Sequence, residues 1–256
     1  MHRNYSQYRK RFSQNFLNSV GVVKKICALA RIEGETVLEI GAGKGILTRE
    51  LARRASRVYA VELDQTLARK LAGLNLPKVE VVNADFLKLD LAGYGQPIII
   101  GNLPYAITAR ILETLARQKE ALKRAILTVQ REYGDKVLAR PGGPDYDPMT
   151  IFMNYHFTTQ KGFIIPAKYF SPRPRVSSMT IVLEKNKPEI VPENEGKFFD
   201  FVKGVFRYRR KQVKNALMHY LGEVPAAVDR ELLPKRPEQL SMGEFYGIFK
   251  RIRTGR

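Results

Sequence analysis

The sequence predicts an α/β fold in which a mostly parallel sheet is covered by helices on both faces, followed by a small all-helical domain. Three observations predict it. Short apolar runs rich in β-branched residues alternate with helical patterns through the first half of the chain. These runs are apolar on both faces, as strands buried on both sides must be, whereas a half-exposed strand alternates. Beyond Lys197 the pattern changes to one helix face, with Phe198, Phe201, Val202 and Val205 at helical spacing.

The elements follow in order. Asn18 or Ser19 can cap a helix running to about Arg31. Strands are then expected at residues 36–40, 57–61, 79–82, 97–100 and 125–129, with helices at 46–54, 64–74, 108–118 and 132–139. Residues 162–165 and 179–183 are joined by a proline-rich loop with no helix, so they should form an antiparallel pair that closes a seven-stranded sheet. Lys, Pro, Glu and Asn dominate residues 185–196, which read as a linker. The expected division is 1–186, including a basic N-terminal arm at 1–18, and a helical domain at 187–256.

Composition narrows the function. The chain has 256 residues, 44% of them hydrophobic, enough for a sizeable core. No stretch approaches the roughly 20 apolar residues of a membrane span, and residues 2–11 are polar and aromatic rather than signal-like, so the cytoplasm is the expected location. Cys27 is the only cysteine, which excludes an internal disulfide and a cysteine-rich zinc site. His2, His156 and His219 are too scattered for a metal centre, and none is expected. The formal charge is +19, and Arg3, Arg9, Lys10, Arg11, Lys24, Lys25 and Arg31 all precede the first acid, Glu33. Clustered cations release condensed counterions on binding a polyanion, so nucleic acid is the favoured partner over a merely solvated surface.

The first strand runs into Glu39-Ile40-Gly41-Ala42-Gly43-Lys44-Gly45. A glycine-rich turn from strand to helix lets backbone approach a ligand, and the helix start offers unpaired N–H groups. A dinucleotide fingerprint would place its third glycine where Ile46 stands. The spacing, with its preceding acid, instead resembles the first motif of class I methyltransferases, whose Rossmann-like fold binds S-adenosylmethionine; a nicotinamide enzyme is the competing reading. Glu62 ends the second strand 19 positions after Gly43, where a carboxylate can accept from both ribose hydroxyls of either cofactor. After the third strand, Asp85 could accept from an adenine amine and Phe86 could flank the ring.

Asn102-Leu103-Pro104-Tyr105 follows the fourth strand. Adenine's exocyclic nitrogen is a poor nucleophile because its lone pair is delocalised into the ring. Two acceptors aimed at its hydrogens, the Asn102 side-chain oxygen and the Leu103 carbonyl, would draw it toward tetrahedral geometry. Pro104 keeps Leu103 extended, and Tyr105 offers a face for an extruded base, a contact worth about 1–3 kcal/mol.

With these residues in place, the sequence resembles the KsgA-type small-subunit rRNA adenine N6-dimethyltransferases over nearly its whole length. The likeness includes Gln14-Asn15-Phe16-Leu17, the Glu39 to Gly45 loop, Glu62, Asp85, the Asn102 to Tyr105 motif, Phe170-Ser171-Pro172-Arg173-Pro174-Arg175-Val176 and an Arg209-Arg210-Lys211 helix. The resemblance implies that Asn15 and Leu17 close over the methionine end of S-adenosyl-L-methionine and that Glu39, Gly41 and Gly43 belong to its binding site. Glu62 would take its ribose and Asp85 its adenine, while Asn102 would serve cofactor and target base. Phe170 would sandwich the flipped adenine against Tyr105, unless it is simply core. The implied substrate is a pair of adjacent adenosines in the terminal hairpin loop of 16S rRNA within the 30S subunit, and a monomer is expected.

Aromatics and cations interleave from Phe206 through Arg207, Arg209, Arg210 and Lys211 to Leu217, on one helix or two, a face suited to phosphates and looped bases. With Arg9, Lys10 and Arg11 these are the candidate RNA contacts. The loop at 142–147 is read as either a lid or a plain surface turn. Rival readings are an Erm-type enzyme acting on large-subunit rRNA and a noncatalytic ribosome assembly factor; intact Asn102, Pro104 and Tyr105 argue against the latter.

Overall fold

The computed structural model describes residues 15–254. Two compact units divide them: one runs to Gly134 and resumes over Phe157–Lys185, and the other comprises Asp135–His156 and the chain from Asn186 onward.

In the first unit the strands are β1 (Phe16–Leu17), β2 (Thr36–Ile40), β3 (Arg57–Glu62), β4 (Val79–Asn83), β5 (Ile98–Asn102), β6 (Arg124–Gln130), β7 (Phe157–Ile165), β8 (Phe170–Ser171) and β9 (Ser178–Lys185). Seven of them form one sheet in the order β4-β3-β2-β5-β6-β9-β7. The first five are mutually parallel, and β9 runs antiparallel between β6 and β7. Strand order reverses between β2 and β5, so helices leave to opposite faces there and open a crevice at the carboxyl ends. The central strands are buried on both faces: Ile98, Ile99 and Ile100 are each at most 1% exposed.

Helix Val20–Ala30 starts on Ser19, whose side chain accepts from the Val22 amide, and ends on Arg31 at φ 48. The Arg124 guanidinium caps its last carbonyls by donating to Ala30 and Arg31. Val23, Ile26 and Cys27 pack with Leu47 and Leu51 of helix Ile46–Arg54 and with Val37, Val58 and Ile100 of the sheet. The expected strand at 162–165 in fact begins at Phe157. It lies at the sheet edge, where Thr158, Gln160 and Lys161 face solvent, and polar residues there hide the strand from a hydrophobicity reading.

The second unit resumes at Asn186, within a residue of the expected boundary, but it also takes in a segment from the middle of the chain. Residues 135–156 group with the C-terminal helices because Tyr146, Ile151 and Tyr155, each at most 4% exposed, complete the core around Phe198, Phe201, Val202 and Phe245. Helix Pro148–His156 within this segment was not anticipated. Nor is the C-terminal part wholly helical. Helices Glu195–Phe206, Val213–Leu221 and Met242–Thr254 are separated by a tight turn and by an irregular stretch containing Pro225, Pro234 and Pro237, which cannot continue a helix. The 142–147 loop is tied down rather than lid-like: the Gly142 amide donates to the Glu238 carbonyl at 2.7 Å, and Tyr146 is 3% exposed against Phe206.

Candidate active site

The glycine loop leaves β2 in a conformation that side chains rarely adopt, with φ 70 at Gly41 and 56 at Gly43. The Gly41 and Ala42 amides donate to the Val61 carbonyl, tying the loop to the end of β3. At that end Glu62 is 2% exposed, and its two carboxylate oxygens accept from the Gly43 amide at 2.8 Å and the Asp64 amide at 2.9 Å. Burial raises the Glu62 pKa, opposed by those backbone donors. Asn83, ending β4, donates its side-chain amide to the Glu62 carbonyl at 2.8 Å, and Asp85 accepts from the Leu87 amide through Oδ1 at 3.0 Å.

Two adjoining clefts open on this edge. One, of about 640 Å³ including space open to solvent, is walled by Gly41, Glu62, Leu63, Asp85, Phe86 and Pro104 among others. The second, of about 380 Å³ on the same measure, is walled by Asn15, Phe16, Gly41, Gly43, Glu62 and all four residues from Asn102 to Tyr105. A slot lined by apolar flanks and two carboxylates, joined to one lined by amides and two aromatics, suits a nucleoside bearing a polar tail beside a second flat ring.

Asn102 ends β5 inside the second cleft. Its Nδ2 donates to the Asn15 carbonyl at 2.8 Å, which fixes the amide's orientation. The opposite atom, Oδ1, is buried with no hydrogen-bond partner among the described residues. An orphaned buried acceptor costs about 1–3 kcal/mol, so a binding site is where such an atom is retained. The Leu103 amide donates to the Thr128 carbonyl at 3.0 Å, anchoring the motif to β6. Pro104 stands extended at φ −62 and ψ 125, and the Tyr105 hydroxyl bonds the Ser178 hydroxyl at 2.9 Å.

Of the expected site residues, Asn15, Gly41, Gly43, Glu62, Asp85, Phe86, Asn102, Leu103, Pro104 and Tyr105 all line these clefts. Three do not. Glu39 is 2% exposed beneath the loop, where its carboxyl accepts from the Thr48 hydroxyl at 2.6 Å. Burial pushes Glu39 up to about 8; Thr48 opposes the shift and neighbouring Glu62 adds to it. Leu17 and Phe170, paired across β1 and β8, are 7% and 2% exposed within the apolar core. Strand alternation is the reason: Leu17 faces inward, so Phe16 turns to the cleft. Sequence reasoning passed over Phe16, although the same alternation could have found it. A side-chain carbon added at Gly43 would stand 3.0 Å from the Phe16 ring, and Lys44 Nζ lies 5.0 Å from its centroid.

The candidate RNA contacts also sort themselves. Arg9, Lys10 and Arg11 lie outside the described residues. Arg207 to Lys211 form a turn rather than a helix, because the Val213 and Lys214 amides donate to the Lys235 and Leu233 carbonyls and the next helix starts afresh. Arg209 is committed internally, to Glu238 at 3.1 Å and to the Pro144 carbonyl. Arg207, Arg210 and Lys211 are exposed and have no carboxylate partner among the described residues. Beside them Tyr208 stacks on His219 with centroids 5.0 Å apart.

A family model described as ribosomal RNA adenine dimethylase matches residues 5–254. Proteins named ribosomal RNA small subunit methyltransferase A are similar throughout. The one from Desulfitobacterium hafniense is 37% identical over 95% of this chain and 91% of its own length, and one from Streptococcus pneumoniae is 35% identical over 94% and 90%. Among solved structures, a dimethyladenosine transferase from Plasmodium falciparum superposes with a TM-score of 0.79 at 21% identity, covering 93% of this chain and 98% of that one. The 23S rRNA methyltransferase ErmE gives a TM-score of 0.64 at 26% identity, covering 93% and 100%.

Proposed function

The chain belongs to the ribosomal RNA adenine dimethylase family, and from that premise we propose that it dimethylates the N6 amines of two adjacent adenosines in the 3′-terminal hairpin loop of 16S rRNA, within the small ribosomal subunit, using S-adenosyl-L-methionine. Relatives at 35–37% identity carry small-subunit names, which favours this substrate over the large-subunit rRNA of the Erm-type alternative. The observation that carries the reading is the buried, unpartnered Asn102 Oδ1 in the wall of a cleft.

Bound there, S-adenosyl-L-methionine supplies a methyl group on a positively charged sulfonium. The residues present fit it. Each Glu62 oxygen has a lone pair beyond the one given to backbone, enough for two ribose hydroxyls. Asp85 can accept an adenine amine through its second oxygen, between the apolar flanks of Leu63 and Phe86. Asn15 and Phe16 cover the loop at Gly43. On the target side, Asn102 Oδ1 and the Leu103 carbonyl accept the two N–H groups of the adenine amine and localise its lone pair, while Tyr105 stacks on the ring. Catalysis is then alignment and hydrogen-bond acceptance, and the proton leaves the methylated nitrogen afterward without a strong base.

RNA affinity comes from the cations of the turn, Arg207, Arg210 and Lys211, with Arg9, Lys10 and Arg11 of the N-terminal arm. No helix among the described residues is long and apolar enough to cross a membrane, and they hold no cluster able to bind a metal. The reading puts the protein in the cytoplasm as a monomer. Mass spectrometry of rRNA from small-subunit particles incubated with the protein and labelled cofactor tests it. Two adjacent dimethyladenosines are expected. Label appearing only on naked large-subunit rRNA would replace the substrate with that of the Erm-type enzymes, and label on neither RNA would leave a noncatalytic assembly factor.

A further inference from the structure

We propose that Ser178 is a positioning residue for the target base, its hydroxyl holding the Tyr105 ring in place before the base arrives. The inference rests on the stacking role given to Tyr105 above and extends it to a residue outside both clefts.

Tyr105 opens a single 3-10 turn, Tyr105–Ile107, whose backbone is held at Pro104: the Ile107 amide and the Thr108 hydroxyl both donate to the Pro104 carbonyl, at 3.1 and 3.2 Å. Backbone anchoring leaves the ring free about its two side-chain torsions. The 2.9 Å bond between its hydroxyl and Ser178 Oγ pins the far end of the ring and so fixes the first torsion, while the O–H preference for the ring plane restrains the second. Ser178 cannot follow the ring. It is fully buried, opens β9, and is Cα-paired with Gln130 on one side and Ile165 on the other. The preceding residue is pinned as well, since the Ser177 carbonyl accepts from the Arg131 amide at 3.0 Å. The ring therefore conforms to the strand.

A base stacking on a ring already immobile loses less freedom and meets the methyl donor at one angle, so the gain falls on the chemical step rather than on RNA binding. With its hydroxyl turned to Ser178, Tyr105 offers the substrate the face of its ring. Half-burial of Tyr105 raises its phenol pKa, which keeps the hydroxyl protonated and able to share this bond.

The test is a double-mutant cycle of Ser178→Ala and Tyr105→Phe, with kcat and KM measured on small-subunit particles and cofactor affinity by calorimetry. Each single variant should lower kcat about three- to ten-fold, the worth of one hydrogen bond. KM for the particles and cofactor affinity should stay within about two-fold, and the double variant should be no slower than the worse single one. Full activity of Ser178→Ala, multiplying losses in the double variant, or losses confined to KM would each overturn the proposal. Tyr105→Ala separates this outcome from failure of the underlying reading: a variant without the ring should be nearly inactive, and if it turns over normally the stacking role itself is wrong.

Discussion

Glu39→Gln isolates the carboxyl beneath the glycine loop. Glu39 is 2% exposed, with Thr48 donating to it at 2.6 Å, and a glutamine oxygen can accept the same bond. Burial lifts its pKa from 4.5 to about 8. For an acid whose folded pKa lies above its unfolded value, the folded state holds the proton longer. Its stabilising share is therefore complete below about pH 4.5 and lost as pH climbs through about 8. At 1.36 kcal/mol per unit, the linkage gives about 3 kcal/mol lost between pH 5.5 and 8.5, as an upper bound. Urea unfolding of both proteins across that range should show wild type falling behind Glu39→Gln by about 1–3 kcal/mol as pH rises. A gap that stays flat to within about 0.5 kcal/mol would mean Glu39 titrates as an ordinary carboxylate, and the account of its burial would be refuted.

Three further outcomes are expected. Asn102→Ala removes the unpartnered acceptor, so kcat/KM should fall about a hundred-fold or more while RNA affinity, measured by filter binding, changes little; an equal loss of RNA binding would contradict its role. Gly43→Ala forces a side chain into φ 56 and against Phe16, and calorimetry should show cofactor affinity weakened about ten-fold or more. Replacing both Arg210 and Lys211 with alanine should flatten the dependence of log affinity on log salt by about two counterions, whereas Arg209→Ala, already committed to Glu238, should change stability more than the salt slope.

The parallel half of the sheet was legible because burial on both faces leaves no polar position in runs such as Ile98 to Ile100. The residues at the carboxyl ends of those strands were legible for the same reason: once the strands are placed, Glu62, Asp85 and Asn102 must meet at one edge. What escaped notice depended on partners distant in sequence. Leu17 and Phe170 look like cleft residues until their pairing turns both into the core. Glu39 looks like a ligand contact until Thr48 is seen to occupy it. Residues 135–156 fall inside the expected sheet domain, yet Ile151 and Tyr155 bury against helices that begin forty residues later. The cationic run was expected to be helical; the amides of Val213 and Lys214 find carbonyls at 233 and 235 instead, information no local window contains.

The site is stitched from both ends of its unit: Asn102 to Asn15, Phe16 opposite Ser171, and Tyr105 to Ser178. A nascent chain emerging from the ribosome can thus shape the glycine loop early, but it lacks the stitches at Ser171 and Ser178 until those residues have been translated. Premature termination before that point yields a product that carries Tyr105 but lacks β9 and the hydroxyl that holds its ring, so the site is complete only once the chain has been made through Ser178.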